Sequence, residues 1–540
     1  MRHRSATAAR RRAALLLAVC VAASVLLSVP AAALTGSGTW NHVGTNGASP
    51  PGSALNGHVY ETVTAGGALY AGGRFTNAGG IGKADLIAKW NGTAWRALGT
   101  SPIASTGAVF AIAVDGNKVY AGGTFTDAGG EPAADYLAVF DGVSWEPFCN
   151  ATSDPTFNTN GMQVLALELI GSTLYVGGSF QNANGVAVAD YLIGCDVNTG
   201  VMTTTISNGG SFSGAVYDLT STPDGTLYAG GTFSNLDQIP EADFVAAYDG
   251  AWSSLGTTPI GGYVRALHAS GTDVYVGTDG VDIGGEPRAD HLVRWDGVSY
   301  APVEEGTNGS FPTSASIYEI TTAAGLVIVG GSWQDMGGVT VADHLSYFRD
   351  GRWHSIGTNG ATPANGALNS SVEALSVYEG QLFAGGGATS IGGDPKAHFL
   401  GSRSLRLPDA FTLNSDSIGR HIYNKTGAGQ VRHLSIERGA TKSTQVCVEN
   451  RGVVAAAFRA AATGRGDGYR TTYRRGGDIT AAVKDGTYLS SGRVPDDRVC
   501  ITMEVTLGGS AAKSASFLIR WSSIGPGTAI DVVKVVVTAK

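Results

Sequence analysis

Charged side chains are scarce. Asp, Glu, Lys and Arg make up only 15% of the 540 residues. A chain that stays unfolded carries more charge, so this composition argues for a folded body with much buried strand. Helical periodicity is missing throughout. No stretch after the first thirty residues is long and apolar enough to span a membrane. There is no phosphate-binding loop, no zinc-ligand spacing and no calcium loop. No cofactor, metal, catalytic residue or nucleic-acid partner is therefore expected, and the ligand-binding residues stay unassigned. Glycine, in contrast, is abundant: 79 residues, about twice the usual share of roughly 7%.

The N-terminus has the layout of a secretion signal. Arg2, Arg4, Arg10, Arg11 and Arg12 precede an apolar run from Ala13 to Val29, and Ala31, Ala32 and Ala33 supply the small residues of a cleavage site. Residues 1–33 are expected to be removed between Ala33 and Leu34, leaving a secreted protein that is extracellular or loosely associated with the cell wall. Four cysteines then remain, Cys149, Cys195, Cys447 and Cys500. In an oxidising compartment an even number implies two disulfides, and four cysteines allow three pairings. The domain division drawn below favours Cys447 with Cys500 and leaves Cys149 with Cys195.

One pattern recurs seven times: an aliphatic-aromatic or aliphatic pair, a Gly-Gly, and thirteen residues from the first glycine to an aspartate. The first glycines and aspartates are Gly72 and Asp85, Gly122 and Asp135, Gly177 and Asp190, Gly230 and Asp243, Gly277 and Asp290, and Gly330 and Asp343. In the seventh unit Gly385 leads to His398, and in the fifth Thr278 replaces the second glycine. Each unit reads as four short strands. In the second unit these run over Val109–Val114, Val119–Phe125, Tyr136–Phe140 and Trp145–Phe148. Asp115-Gly116 and Asp141-Gly142 are hairpin turns whose central residues favour positive φ. A repeat of about 50 residues with four strands is the size of a propeller blade.

The units resemble the Kelch and galactose-oxidase-like propeller repeats of secreted bacterial proteins. The resemblance rests on the Gly-Gly pairs, the Asp-Gly turns and the fourth-strand Trp95, Trp145, Trp252 and Trp353, with Met202 and Tyr300 standing in that place in two units. It implies an all-β fold, with a seven-bladed β-propeller over residues 34–407. The seventh unit has no fourth strand of its own. Trp40-Asn41-His42-Val43-Gly44 supplies one, because Gly44–Ala48 repeats Gly357–Ala361 and Ala54-Leu55-Asn56 repeats Ala367-Leu368-Asn369. The N-terminal strand is thus expected to close the last blade and leave no open edge.

After Pro408 the repeat stops. Residues 408–540 show alternating runs separated by turn residues. They resemble the immunoglobulin-like β-sandwich modules of about seven strands that follow propellers in secreted proteins, with Cys447 and Cys500 bridging the two sheets. Charge divides the chain in the same place: residues 35–407 hold 13 Lys and Arg against 33 Asp and Glu, and residues 408–540 hold 18 against 11. A basic module of this kind could dock on the propeller or hold the protein to an anionic cell envelope; release of the protein from cells by moderate salt would support the second.

Both sets of longer connections, second to third strand and fourth to first, fall on one face, and a ligand site is expected there or in the axial channel. The repeated aspartates are expected to hold loops through backbone amides, not to form a metal ring. His291 and His344 take a position filled elsewhere by Leu86, Tyr136, Tyr191, Phe244 and Phe399, which makes them packing residues. Phe75, Phe125, Phe180, Phe233 and Trp333 are expected in the core. Arg465-Gly466-Asp467 is a short adhesion-type triplet, and Asn150-Ala151-Thr152 is a glycosylation acceptor. The expected function is a binding or scaffold role toward a glycan, peptide or surface protein. The alternative is an extracellular carbohydrate-active enzyme: a hydrolase, lyase or oxidase. Galactose oxidase itself requires an adjacent Tyr-His pair, and this sequence contains none.

Overall fold

The computed structural model describes residues 40–540, except 50, 105, 150–161, 205, 207–211, 286–287, 304–310, 313, 324, 350, 360–364, 406–407, 414–429, 451–455, 465–466, 494–496 and 525–529. The expected signal and its Ala33–Leu34 cleavage site lie outside these residues. The described chain is built of strand, in nine sheets, eight of them four-stranded. Seven of the four-stranded sheets lie between Asn41 and Ser404, and each is antiparallel. The first consists of Val59–Ala65, Ala68–Gly73, Ile87–Trp90 and Trp95–Arg96. These blade-like sheets are compatible with a propeller.

The Gly-Gly pair acts through its lack of a side chain. A Cβ on the first glycine would collide with the innermost strand of the next sheet: on Gly122 it would meet Val164 Cγ1, and on Gly72 it would meet Val109 Cγ1 at 2.7 Å. The same relation carries Gly177 to Val216, Gly230 to Val264, Gly277 to Ile317, Gly330 to Val372 and, returning to the start, Gly385 to Val59. Each sheet therefore packs on the next and the seventh packs on the first. The second glycine lies against a backbone carbonyl of its own sheet, Ala108 O for Gly123. Thr278, at that place in the fifth sheet, is fully buried, and its Oγ1 accepts the Gly280 amide at 3.0 Å.

The N-terminal segment completes the seventh sheet. Asn41 pairs with Ser402 and His42 with Gly401, so the strand order runs from Asn41–His42 through Leu400–Ser404 and Gln381–Gly386 to Val372–Tyr378. Trp40 is 2% exposed, packs on Gly392, and donates its indole N–H to Ile356 O at 2.9 Å. Trp95 and Trp252 make the equivalent bond to Val43 O and Ile206 O, each in the connection that leaves the preceding sheet.

Each aspartate of the repeat accepts a backbone amide eight residues earlier, as Asp85 does from Asn77 at 2.6 Å and Asp135 from Asp127 at 2.7 Å. The donor residue is left-handed (Asn77 φ 53°, Asp127 φ 54°), a conformation Asn and Asp tolerate best among residues with a side chain. The residue after the aspartate, or after His398 in the seventh sheet, is left-handed in all seven sheets, from Leu86 (φ 59°) to Phe399 (φ 63°). It is spanned by a tight two-residue bond such as Ile87 N to Asp85 O at 2.7 Å. This is a γ-turn with a bulky central residue, a strained form. His291 and His344 occupy it too. His291 is 2% exposed, and burial depresses the pKa of both. The hairpin expectation needs one correction: Asp115 ends a strand and only Gly116 is left-handed (φ 59°). Asp141 serves as a side-chain acceptor for the Val143 and Ser144 amides.

The C-terminal residues form two sheets around one core. One contains Pro408–Leu413, Thr441–Asn450, Arg498–Leu507 and Tyr469–Arg474. The other contains Val431–Ile436, Ile530–Ala539, Ser514–Ser523, Phe458–Thr463 and Tyr488–Leu489. That is nine strands among the described residues, against an expectation of about seven. Val446, Ile501, Met503 and Tyr473 of the first sheet share the core with Phe458, Ile519, Trp521 and Val535 of the second. Both expected disulfides are present, Cys149–Cys195 and Cys447–Cys500. The second is not the inter-sheet bridge expected. Cys447 and Cys500 face each other on adjacent strands of one sheet, with Cα atoms 4.0 Å apart, because the antiparallel register places them opposite.

Candidate functional site

The first strand of each of the seven sheets is an edge, so its outer N–H and C=O groups need partners. These seven strands line a channel of about 580 Å³. In every sheet the strand carries a β-bulge just before the residue opposite the first glycine. The residue opposite that glycine is Glu61, Ala111, Ala166, Asp218, Ala266, Glu319 or Ala374. Two residues on, the row is Val63, Ala113, Glu168, Thr220, His268, Thr321 and Ser376, and both rows line the channel apart from Ala266 and Ala374. Four carboxyl groups and one imidazole thus face a common space that holds no Lys or Arg among its described lining residues.

Several of these groups bond the neighbouring sheet. Asp218 accepts the Leu267 amide at 2.6 Å and its own Leu219 amide at 2.8 Å. Thr220 Oγ1 accepts the Ala269 amide at 3.1 Å, and Glu168 accepts the Ser221 hydroxyl at 2.5 Å. His268 Nε2 and Thr322 Oγ1 lie 3.1 Å apart. These bonds satisfy edge groups and tie successive sheets together.

Burial governs the charge state here. It raises the Glu168 carboxyl to about 7 against the help of the Ser221 bond. Burial raises Glu61, and the nearby Asp218 adds to the shift. Glu319 is raised well above the ordinary range by burial and by Glu61 and Asp218. Asp218 is raised by burial in spite of its two amide bonds. Burial lowers His268 to about 4, so it is neutral at pH 7. No three His, Cys, Asp or Glu groups among the described residues are placed to hold one metal ion.

The bulge residue of each sheet stands one position before this lining, at the strand end where the fourth-to-first connection arrives. The seven are Tyr60, Phe110, Leu165, Tyr217, Arg265, Tyr318 and Glu373. All are half-buried. Tyr60 stacks on His58 and meets Phe110 edge-on, both at 4.9 Å. Arg265 lies over Tyr217 at 5.6 Å and 3.8 Å from Asp279. His58 approaches Glu373 at 3.3 Å.

Of the motifs singled out in the sequence, none that lies among the described residues lines this channel. The repeated aspartates act in loops. Phe75, Phe125, Phe180, Phe233 and Trp333 are buried. Asn150–Thr152, Arg465 and Gly466 lie outside the described residues, while Asp467 O accepts the Ala512 amide at 3.0 Å. The channel acids were missed because each stands alone in its repeat. Aligning the repeats on the first glycine exposes a position that is Ala in four units and Glu in two, Glu61 and Glu319; Asp218 escapes it, because the longer first hairpin of the fourth unit shifts it by one residue and only the strand register brings it into line.

No known family and no curated protein matches this chain. Among solved structures, a nucleoside hydrolase-related protein from Saccharophagus degradans associated with carbohydrate metabolism is 10% identical over 26% of this chain, with a TM-score of 0.16, and the match spans 26% of that chain. The N-terminal domain of PorA is 13% identical over 24% of this chain and 97% of its own, with a TM-score of 0.17. Domains 4 and 5 of the S-layer protein SbsC are 11% identical over 36% and 89%, with a TM-score of 0.15. Likeness at this level carries no argument about function. Among the described residues no helix is long and apolar enough to cross a membrane.

Proposed function

We propose that residues 34–407 form a seven-bladed propeller of the Kelch or galactose-oxidase-like kind, and that residues 408–540 form an immunoglobulin-like module. On this reading the secreted protein is a binding or scaffold protein that takes a glycan, peptide or surface protein at the channel mouth. The observation that carries the binding role is the ring of bulge residues. Bulges re-aim side chains, and here they collect Tyr60, Phe110, Tyr217 and Tyr318, with Arg265 and Glu373, around one opening. Such residues on a rigid frame supply large contact area at small entropic cost. Inside the opening, Asp218 and Glu168 are engaged in holding sheets together, which fits a scaffold better than a catalytic centre.

A second reading, a carbohydrate-active enzyme, draws support from Glu61 and Glu168, whose burial keeps a proton available near neutral pH as a general acid requires. One experiment separates the two. The secreted protein is screened on glycan and peptide arrays, and its hits are assayed for turnover. Binding without turnover, weakened about tenfold or more in Tyr217→Ala and Tyr318→Ala, is the expected result. Turnover abolished by Glu61→Gln or Glu168→Gln would replace the binding role with the enzymatic one.

A further inference from the structure

We infer that the axial channel receives an alkylammonium group, carried by the ligand that docks at the aromatic mouth. This deepens the binding reading above and rests on it. Four observations point the same way. The channel holds Glu61, Glu168, Asp218 and Glu319 with no Lys or Arg among its described lining residues. Its mouth is rich in aromatic rings, and the rim already accommodates a cation on one of them, Arg265 over Tyr217, as an incoming ammonium would be held. Ser376 Oγ, in the same row as Glu168, belongs to a residue 7% exposed and has no hydrogen-bond partner. A hydroxyl left unsatisfied in a channel wall is free to accept a bond from a ligand donor. Finally, the surrounding body carries a large excess of acidic over basic residues, which favours the approach of cations.

The geometry selects an ammonium over a bare metal ion. Among the described residues no three acidic, His or Cys groups close on a single point, so a metal would lack its coordination shell there. An ammonium on a flexible stem brings three separate donors and can reach acceptors that are spread along a wall. The charged and titratable groups around such a ligand include Glu61, Glu168, Asp218, Glu319 and His268 inside, and His58, Tyr60, Arg74, Arg265, Asp279 and Glu373 at the mouth. Since burial keeps the inner carboxyls protonated near neutrality, a bound cation would favour their ionised form. Binding would then release protons and tighten as pH rises.

The test uses calorimetry on the full secreted chain, with 1,5-diaminopentane as probe and 1,5-pentanediol as its uncharged counterpart, at pH 6 and pH 8 in buffers of different ionisation heat. We expect saturable binding of the diamine and not the diol, at least threefold tighter at pH 8, with proton release. Glu61→Gln and Glu319→Gln, whose amides mimic the protonated acids, should weaken it about tenfold without lowering the melting temperature. Should either variant fail to fold, Tyr318→Ala at the rim is expected to lose the diamine in the same way. Equal behaviour of diamine and diol, or diamine binding untouched in all three variants, overturns the inference. If array ligands bind through Tyr217 and Tyr318 while the diamine does not bind, the mouth remains the ligand site and only the cation is wrong. If Tyr217→Ala and Tyr318→Ala change no binding at all, the reading of the mouth fails and this inference with it.

Discussion

The aspartate of each repeat shows how one side chain can hold a strained turn in place. Asp135 bonds the Asp127 amide, and the next residue, Tyr136, sits at φ 62°. A bulky residue there is unfavourable by itself, so the surrounding bonds must over-determine it. Asp135→Ala removes the acceptor and leaves the Asp127 amide without its partner, which should destabilise the protein by about 1–3 kcal/mol in urea unfolding. Asp135→Asn retains an oxygen acceptor and should lie much closer to wild type. The repeated aspartate was legible in the sequence as a loop-holding residue. The left-handed residue beside it was not, since Leu, Tyr, Phe and His at that position carry no local signal for positive φ.

At the scale of the element, the Gly-Gly strand explains why sheets can approach one another closely enough to share a core. Gly122 faces Val164 of the next sheet with no room for a methyl group. Gly122→Ala should therefore cost about 1–3 kcal/mol through forced displacement. Gly116→Ala, in an exposed hairpin turn with nothing near its Cβ position, meets only backbone strain from its φ of 59° and should cost about 1 kcal/mol. Comparing the two by chemical denaturation separates sheet packing from turn conformation. The closing strand was readable in the sequence because Trp40 and the residues after it repeat Trp353 and the residues after it. The disulfide geometry of the C-terminal sheets was not. The domain division favoured Cys447 with Cys500, and that pair forms, but only register could show that the two lie within one sheet.

For the whole molecule, the buried carboxyls of the channel tie stability to pH. Burial raises Glu168 in the folded state to about 7 from the ordinary carboxyl range, and Glu61, Asp218 and Glu319 move the same way. Below the ordinary range, folded and unfolded chains both hold these protons. Above it the unfolded chain has released them and the folded chain has not, so stability falls as pH rises through about 7. The melting temperature is expected to be lower at pH 8 than at pH 5.5, and Glu168→Gln should flatten that slope. A melting temperature that rises across this interval would mean that the channel carboxyls are ionised at little cost.

Legible along the chain were the period of the repeat, the four-strand pattern of its units, the strand borrowed from the N-terminus, the favoured pairing of the cysteines and the division of charge. All of these are local patterns or repetitions, and a linear chain displays them directly. Packing in three dimensions was needed to bring Glu61, Glu168, Asp218 and Glu319 to one channel, and strand register to show that Tyr60, Phe110, Tyr217 and Tyr318 are the bulge residues of the strands that line it. Each comes from a different repeat, roughly 50 or more residues from the next in most cases. The physical reason is that packing sheet upon sheet until the seventh meets the first converts positions with no relation along the chain into neighbours around one space.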